Sequence, residues 1–382
     1  MRRRRPAPFV VLLVGCVLAG TVGAAAPIGA SVGRQTLPGE PVAPGDVGPG
    51  TPSYAVGRRT IEVTSEPGRT VTADVWYPAD PAAVVGLEKT VYAIPAAAYT
   101  SSVAYDAPPV ASGGPFPLVV YSHGSGGQRF ISAFLTEALA ARGYVVIAAD
   151  HTGNTAVDQF TNTTLPRSEV VRVRPVDIRG EIAAMTAATA DPASPFAGAV
   201  DTGRVGLVGH SAGGTGVLDT AAGAGGAEVP AGIEAVVGLG AYVDPVTDAE
   251  LKAVDAPTML ISGTLDDVTP IKTQTERAWK RLGARPLYRV DLKGGGHQSY
   301  SDVCYYSELV DARPTLPAAL VEAIKTRTSD ACTPEFLPIT TAHTLIDQYA
   351  IGFLDRYVKG VQVPKAQLRS TDPKVVTVRV KS

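Results

Sequence analysis

The chain has 382 residues, with 34 Lys+Arg against 36 Asp+Glu, 45% hydrophobic residues and 18% charged residues. So even a charge balance leaves no basic surplus for neutralising phosphates, which speaks against nucleic acid as a partner, and the hydrophobic fraction excludes wholesale disorder. The length allows two domains, or one large α/β domain with extensions.

The first segment differs from the rest. Arg2 to Arg5 precede an apolar run from Phe9 to about Val22 and then the small residues Gly23 to Ala26, which is the order of a secretory signal. A membrane-spanning helix needs some 20 apolar residues, whereas this run is broken by Gly15 and Gly20. Residues 1–30 are therefore expected to direct export and be removed, with no stable span in the mature protein. Leu13-Val14-Gly15-Cys16 offers the minor alternative of a lipid anchor on Cys16. Cleavage leaves 30 basic against 36 acidic residues, a balance of −6, and it leaves two cysteines, Cys304 and Cys332. An even pair in an oxidising compartment is expected to form a disulfide, the other reading being two buried thiols. No histidine or cysteine cluster has zinc-ligand spacing, and no cofactor is expected. Residues 31–53, rich in Pro and Gly, read as a linker, which leaves 54–382 as the catalytic domain.

From Thr60 the apolar residues fall into short strand-like runs: Thr60 to Val63, Val71 to Tyr77, Leu118 to Tyr121, Tyr144 to Ala149, Val205 to Val208, Ala235 to Leu239, Thr258 to Ser262 and Leu287 to Val290. Helix-period segments lie between the later ones, at Ile131 to Arg142, Asp177 to Thr189, Ala212 to Ala222, Ile271 to Leu282 and His343 to Val358. This alternation predicts an α/β fold with a mostly parallel central sheet, helices on both faces and an antiparallel hairpin at the N-terminal side. Val84 to Pro117 and His151 to Pro175 lack periodicity and read as long irregular walls beside the strand ends.

The sharpest motif is Gly209-His210-Ser211-Ala212-Gly213-Gly214, after a strand and before a helix. In this setting G-x-S-x-G is a tight turn that lifts the serine out of the sheet. A serine hydroxyl needs a base to take its proton, and the base needs an acid to fix its tautomer. Both follow on loops after later strands. Asp266 lies in Gly263-Thr264-Leu265-Asp266-Asp267-Val268-Thr269-Pro270, and His297 follows Gly294-Gly295-Gly296. Asp266 is preferred to its neighbour Asp267, which reads as a turn-capping carboxylate. Two backbone amides should receive the carbonyl oxygen. Ala212 supplies one, and Ser125 of Ser122-His123-Gly124-Ser125-Gly126-Gly127 supplies the other. His123 and His151 are expected to order loops rather than to move protons.

These residues resemble the α/β-hydrolase superfamily, and within it the secreted bacterial relatives of platelet-activating-factor acetylhydrolase and dienelactone hydrolase. The likeness runs from about Tyr54 to Gly360 and includes Asp74-Val75-Trp76-Tyr77-Pro78, Ala149-Asp150-His151-Thr152-Gly153-Asn154 and Pro175-Val176-Asp177-Ile178-Arg179. It implies a serine esterase with Ser211, Asp266 and His297 as triad and the Ser125 and Ala212 amides as oxyanion hole. Ser211 stands where dienelactone hydrolases carry cysteine. The elbow and the turn from Leu265 to Pro270 also resemble cutinase-like polyester hydrolases, which usually carry an aromatic where this chain has Ser125 and a tryptophan near Ala241-Tyr242. The expected function is hydrolysis of short-chain acyl esters, including lipid esters of the acetylhydrolase type. Alternatives are a polyester hydrolase or acyltransferase on the same fold, or a catalytically inactive binding protein.

Overall fold

The computed structural model describes residues 54–94, 97–311, 321–322, 325–326, 328–370 and 372–382. The expected export signal, the linker and Cys16 lie outside the described residues. Eleven strands among the described residues form one sheet: β1 (Ala55–Glu66), β2 (Arg69–Ala79), β3 (Lys89–Ile94), β4 (Ala97–Asp106), β5 (Phe116–Ser122), β6 (Val145–Ala149), β7 (Val200–His210), β8 (Ile233–Leu239), β9 (Thr258–Gly263), β10 (Leu287–Leu292) and β11 (Val376–Lys381). Their order across the sheet is β11-β10-β9-β8-β7-β5-β6-β2-β1-β4-β3. The run from β10 to β6 is parallel throughout. At its edges β1 and β2 form the expected antiparallel hairpin, and β11 closes antiparallel on β10.

Strand side chains alternate between two cores. Leu118, Val120, Val145, Ile147, Val205 and Leu207 face one side, while Val119, Tyr121, Val146, Ala148 and Val208 face the other. A strand buried on both faces reads as a continuous apolar run, which is why β5, β6 and β7 were legible in the sequence. The first core is completed by α3 (Arg167–Ala190), α4 (Ala212–Ala222), α5 (Asp248–Ala253) and α6 (Thr275–Arg281). The second takes α1 (Ala133–Ala141) and the long C-terminal helix Ile339–Tyr357. A further short helix, α2 (Ala156–Thr161), lies outside this pattern, whereas α7 (Val303–Asp311) adds Tyr306 and Val310 to the second core; the C-terminal helix is α8.

Both stretches expected to be irregular carry structure. Val84 to Pro117 contains the β3–β4 hairpin, and β4 also runs parallel to the start of β1. His151 to Pro175 contains α2 and the opening turns of α3. Pro175 was expected to precede the helix, since it lacks an N–H and crowds the preceding turn. The helix nevertheless begins at Arg167, because Val170, Val173 and Arg174 are buried by it, and that packing outweighs one lost backbone bond.

The chain leaves β5 to form β6 on one side and then crosses over to form β7 on the other. The crevice at the carboxyl ends of β5 and β7 is thus a topological switch point, where open α/β sheets hold their ligands. The loops after these two strands carry Ser125 and Ser211.

Candidate active site

Ser211 sits between the end of β7 and the first residue of α4, with φ 54° and ψ −117°. A non-glycine residue in this region is strained, and the surroundings must hold it there. They do so through its backbone: the Ser211 N–H donates to Leu239 O at 3.0 Å, and its carbonyl accepts from Gly214 N at 2.9 Å and Tyr242 N at 3.0 Å. Gly213 permits the turn because a Cβ there would collide with the Ser122 carbonyl. Ala212 opens the helix, so its N–H has no intrahelical acceptor, and the positive end of the helix dipole is directed at the serine.

Three side chains from separate loops converge. Ser211 Oγ lies 2.9 Å from His297 Nε2, and His297 Nδ1 lies 2.9 Å from Asp266 Oδ2. All three are largely buried, Ser211 keeping 8% exposure, His297 4% and Asp266 3%. Asp266 Oδ1 accepts from the Val268 and Thr269 amides at 3.0 and 2.7 Å, and Thr269 Oγ1 donates to Oδ2 at 2.7 Å. Burial opposes ionisation of this carboxyl, but the bonds from His297 and Thr269 outweigh it and hold the pKa below the usual carboxylate value. With Oδ2 ionised, Nδ1 carries the imidazole proton and Nε2 is free to accept from Ser211. Asp267 is exposed and lies outside this set. Thr269 was missed in the sequence, although a threonine three residues after an acid in a turn is a capping pattern.

The glycines before His297 serve close approach rather than flexibility. Gly295 lies against Gly263, Gly294 has φ 76°, and a Cβ on Gly296 would collide with the Asp330 carbonyl. His210, the variable residue of the elbow, lies within hydrogen-bond reach of the His297 carbonyl through Nε2 at 3.0 Å. Burial, with His297 beside it, pushes its pKa down to about 3, so it is neutral and acts as an N–H donor. Cys304 and Cys332 form the expected disulfide, with Cα atoms 5.4 Å apart. It ties α7 to the segment bearing Asp330, whose Oδ1 accepts from Gln298 N at 3.2 Å.

A second Ser–His–Asp set lies under the site. Ser122 Oγ is 2.7 Å from His151 Nε2, and His151 Nδ1 is 2.9 Å from Asp177 Oδ2, whose carboxylate is clasped by Arg69 through Nε and Nη2, both at 2.7 Å. Exposure separates the two sets. Ser122, His151 and Asp177 are each 0% exposed, so no ester can reach Ser122. Burial drives the His151 pKa down to about 4. Asp177 stays ionised despite its burial, because the Arg69 and His151 bonds hold its pKa well below the usual range. This set is a clamp at the base of the loop that carries Ser125. Ser125 itself is exposed, and Gly124 abuts Ser211: a Cβ on Gly124 would lie 3.3 Å from Ser211 Cβ.

The sheet order, the strained serine at the end of β7 and the converging histidine and carboxylate define the α/β-hydrolase class. Residues 108–303, spanning Ser125, Ser211, Asp266 and His297, match a family model described as PET hydrolase-like. The chain belongs to the PET hydrolase-like family and is an ester hydrolase of the α/β-hydrolase type. No curated protein matches it.

Proposed function

We propose that the protein is an exported serine carboxylesterase in which Ser211 attacks the ester carbonyl carbon while His297 Nε2 takes the hydroxyl proton. Asp266 holds the imidazole in the required tautomer and balances the imidazolium that forms. The tetrahedral oxyanion is received by the Ala212 and Ser125 amides. His297 then returns the proton to the leaving alkoxide, and the alcohol departs. A water, deprotonated by His297, attacks the acyl-enzyme and releases the acid with Ser211 restored. The observation that carries this reading is the continuous 2.9 Å contact from Ser211 through His297 to Asp266. Export is supported by the N-terminal signal pattern and is compatible with the disulfide.

The favoured substrates are short-chain acyl esters, with lipid esters of the acetylhydrolase type among them. Only 55 positions separate Ser211 from Asp266, which leaves little room there for a large lid. A nitrophenyl ester series tests this, with kcat/KM expected to be highest at short acyl chains; a maximum at C12 or longer would contradict it. The PET hydrolase-like family description favours a second reading, hydrolysis of aromatic polyesters. Release of soluble product from a polyester film would support that reading, and a film left intact by enzyme active on nitrophenyl acetate would count against it. Ser211→Ala tests the mechanism common to both: activity is expected to fall by several orders of magnitude, and a loss below about a hundredfold would refute it.

A further inference from the structure

Arg174, on the opening turns of α3, is 1% exposed and has no carboxylate within ion-pair distance among the described residues. Burying a guanidinium without a paired anion is unfavourable, and an apolar residue would be the cheaper filler for a helix face. Its two terminal nitrogens donate instead to neutral oxygens around the loop after β5. Nη1 donates to His123 O at 2.6 Å and to Ser122 Oγ at 3.1 Å, and Nη2 donates to Asn154 Oδ1 at 2.5 Å. Asn154 passes the contact on, its Nδ2 donating to Ser125 Oγ at 2.9 Å. Burial lowers the Arg174 pKa to about 9, which leaves it protonated at neutral pH.

The proton directions close on one another. The His151 N–H donates to His123 Nε2 at 3.2 Å, so His123 carries its proton on Nδ1, which donates to Gly124 O at 2.7 Å. A trans peptide is planar, with its C=O and N–H pointing in opposite directions. Fixing Gly124 O from below therefore fixes the direction of the Ser125 N–H, the amide assigned to the oxyanion. Arg174 grips the preceding carbonyl, His123 O, and reaches the Ser125 side chain through Asn154. Successive units of the loop are thus each held by a hydrogen bond from a side chain.

We infer that Arg174 is a positioning residue for the oxyanion loop: it fixes the peptide planes around Gly124, aligns the Ser125 amide, and places a buried positive charge beneath the developing oxyanion. The inference deepens the serine-esterase reading and rests on it. An amide that meets charge only in the transition state should affect kcat with little change in KM.

The test compares Arg174→Met, Arg174→Lys, Asn154→Ala and Ser211→Ala on nitrophenyl acetate, with folding followed by circular dichroism. Arg174→Met is expected to lower kcat ten- to a hundredfold with KM within threefold. Arg174→Lys, which keeps the charge but loses the forked reach, should recover part of that loss. Asn154→Ala should lower kcat at least fivefold with KM unchanged. A folded Arg174→Met with kcat within threefold of the parent overturns the proposal, as does a loss expressed mainly in KM. If Arg174→Met does not fold, Asn154→Ala decides: a kcat within twofold of the parent overturns the proposal. Full activity in Ser211→Ala would remove the serine reading and the proposal together, whereas an inactive Ser211→Ala beside unaffected Arg174 and Asn154 variants would remove the proposal alone.

Discussion

Replacing Asp266 by Asn changes few atoms and should nearly silence the enzyme, for a reason that lies in the acid's other contacts. Oδ1 already accepts two backbone amides, Val268 N and Thr269 N, while Oδ2 faces His297 Nδ1. The amide of Asn will keep its oxygen on those two donors, which turns its NH2 toward Nδ1. Nδ1 must then accept, the imidazole proton moves to Nε2, and Nε2 can no longer take the proton of Ser211. The opposite flip would restore the tautomer but leave two buried amides without an acceptor, at about 1–3 kcal/mol each. The productive arrangement therefore lies about 4 kcal/mol above the unproductive one, roughly a thousandfold in population. Loss of the carboxylate charge opposite the imidazolium adds to this, and a fall of about 10³–10⁴ in kcat is expected with KM within a few-fold. Steady-state hydrolysis of nitrophenyl acetate reads it directly. Asp267→Asn is the paired control, because Asp267 is exposed and makes no contact with His297; its rate should stay within twofold. A tenfold or smaller loss in Asp266→Asn, or a larger loss in Asp267→Asn, would refute the assignment.

Three further outcomes follow from buried groups and close contacts. Glu137 accepts from Tyr92 and Ser101 at 2.6 and 2.7 Å, yet burial pushes its pKa from 4.5 up to about 7. Between those values the folded state holds a proton that the unfolded state has lost, so stability falls as pH rises through the window, by roughly 3 kcal/mol in all. Glu137→Gln should lose that component, and urea unfolding at pH 4.5 and 8 should show it as a flatter profile; parallel profiles would contradict it. Removing the Cys304–Cys332 disulfide by a double Ser substitution opens a loop of sequence separation 28. It should cost about 3.5 kcal/mol on chain-entropy grounds, read as a lower urea midpoint, and an unchanged midpoint would count against it. Gly213→Ala would drive a methyl into the Ser122 carbonyl and should cost more than ~3 kcal/mol together with activity; a variant as stable and active as the parent would show that the elbow tolerates a side chain.

The parts of the molecule legible in the sequence were those whose signal is local. β5, β7 and β9 are buried on both faces and read as apolar runs, and the elbow, the acid turn and the glycines before His297 sit directly at strand ends. β3 and β4 were not legible, since Ala97–Asp106 is a string of Ala, Thr and Ser with scattered tyrosines that gains its strand form from pairing with β1 and β3. The start of α3 was hidden by Pro175. The clamp beneath the site was least legible of all. Arg69, Ser122, His151 and Asp177 are far apart in the chain, and only the adjacency of β2, β5, β6 and the middle of α3 brings them within hydrogen-bond distance. His151 was expected to hold a loop by hydrogen bonds, and its contacts to Ser122 and Asp177 are of that kind. Exposure, together with the strained turn at Ser211, tells the two Ser–His–Asp sets apart.

The most direct measurement is covalent. The phosphorus of an alkyl fluorophosphonate is attacked by an activated, reachable serine, whose Oγ forms the O–P bond as fluoride leaves, and peptide mass spectrometry locates the adduct. The expected result is one phosphonyl group per chain, on Ser211, with esterase activity lost in proportion to labelling and Ser122 unmodified. An adduct on any other residue, or full activity in a fully labelled sample, would contradict the assignment of Ser211 as the nucleophile.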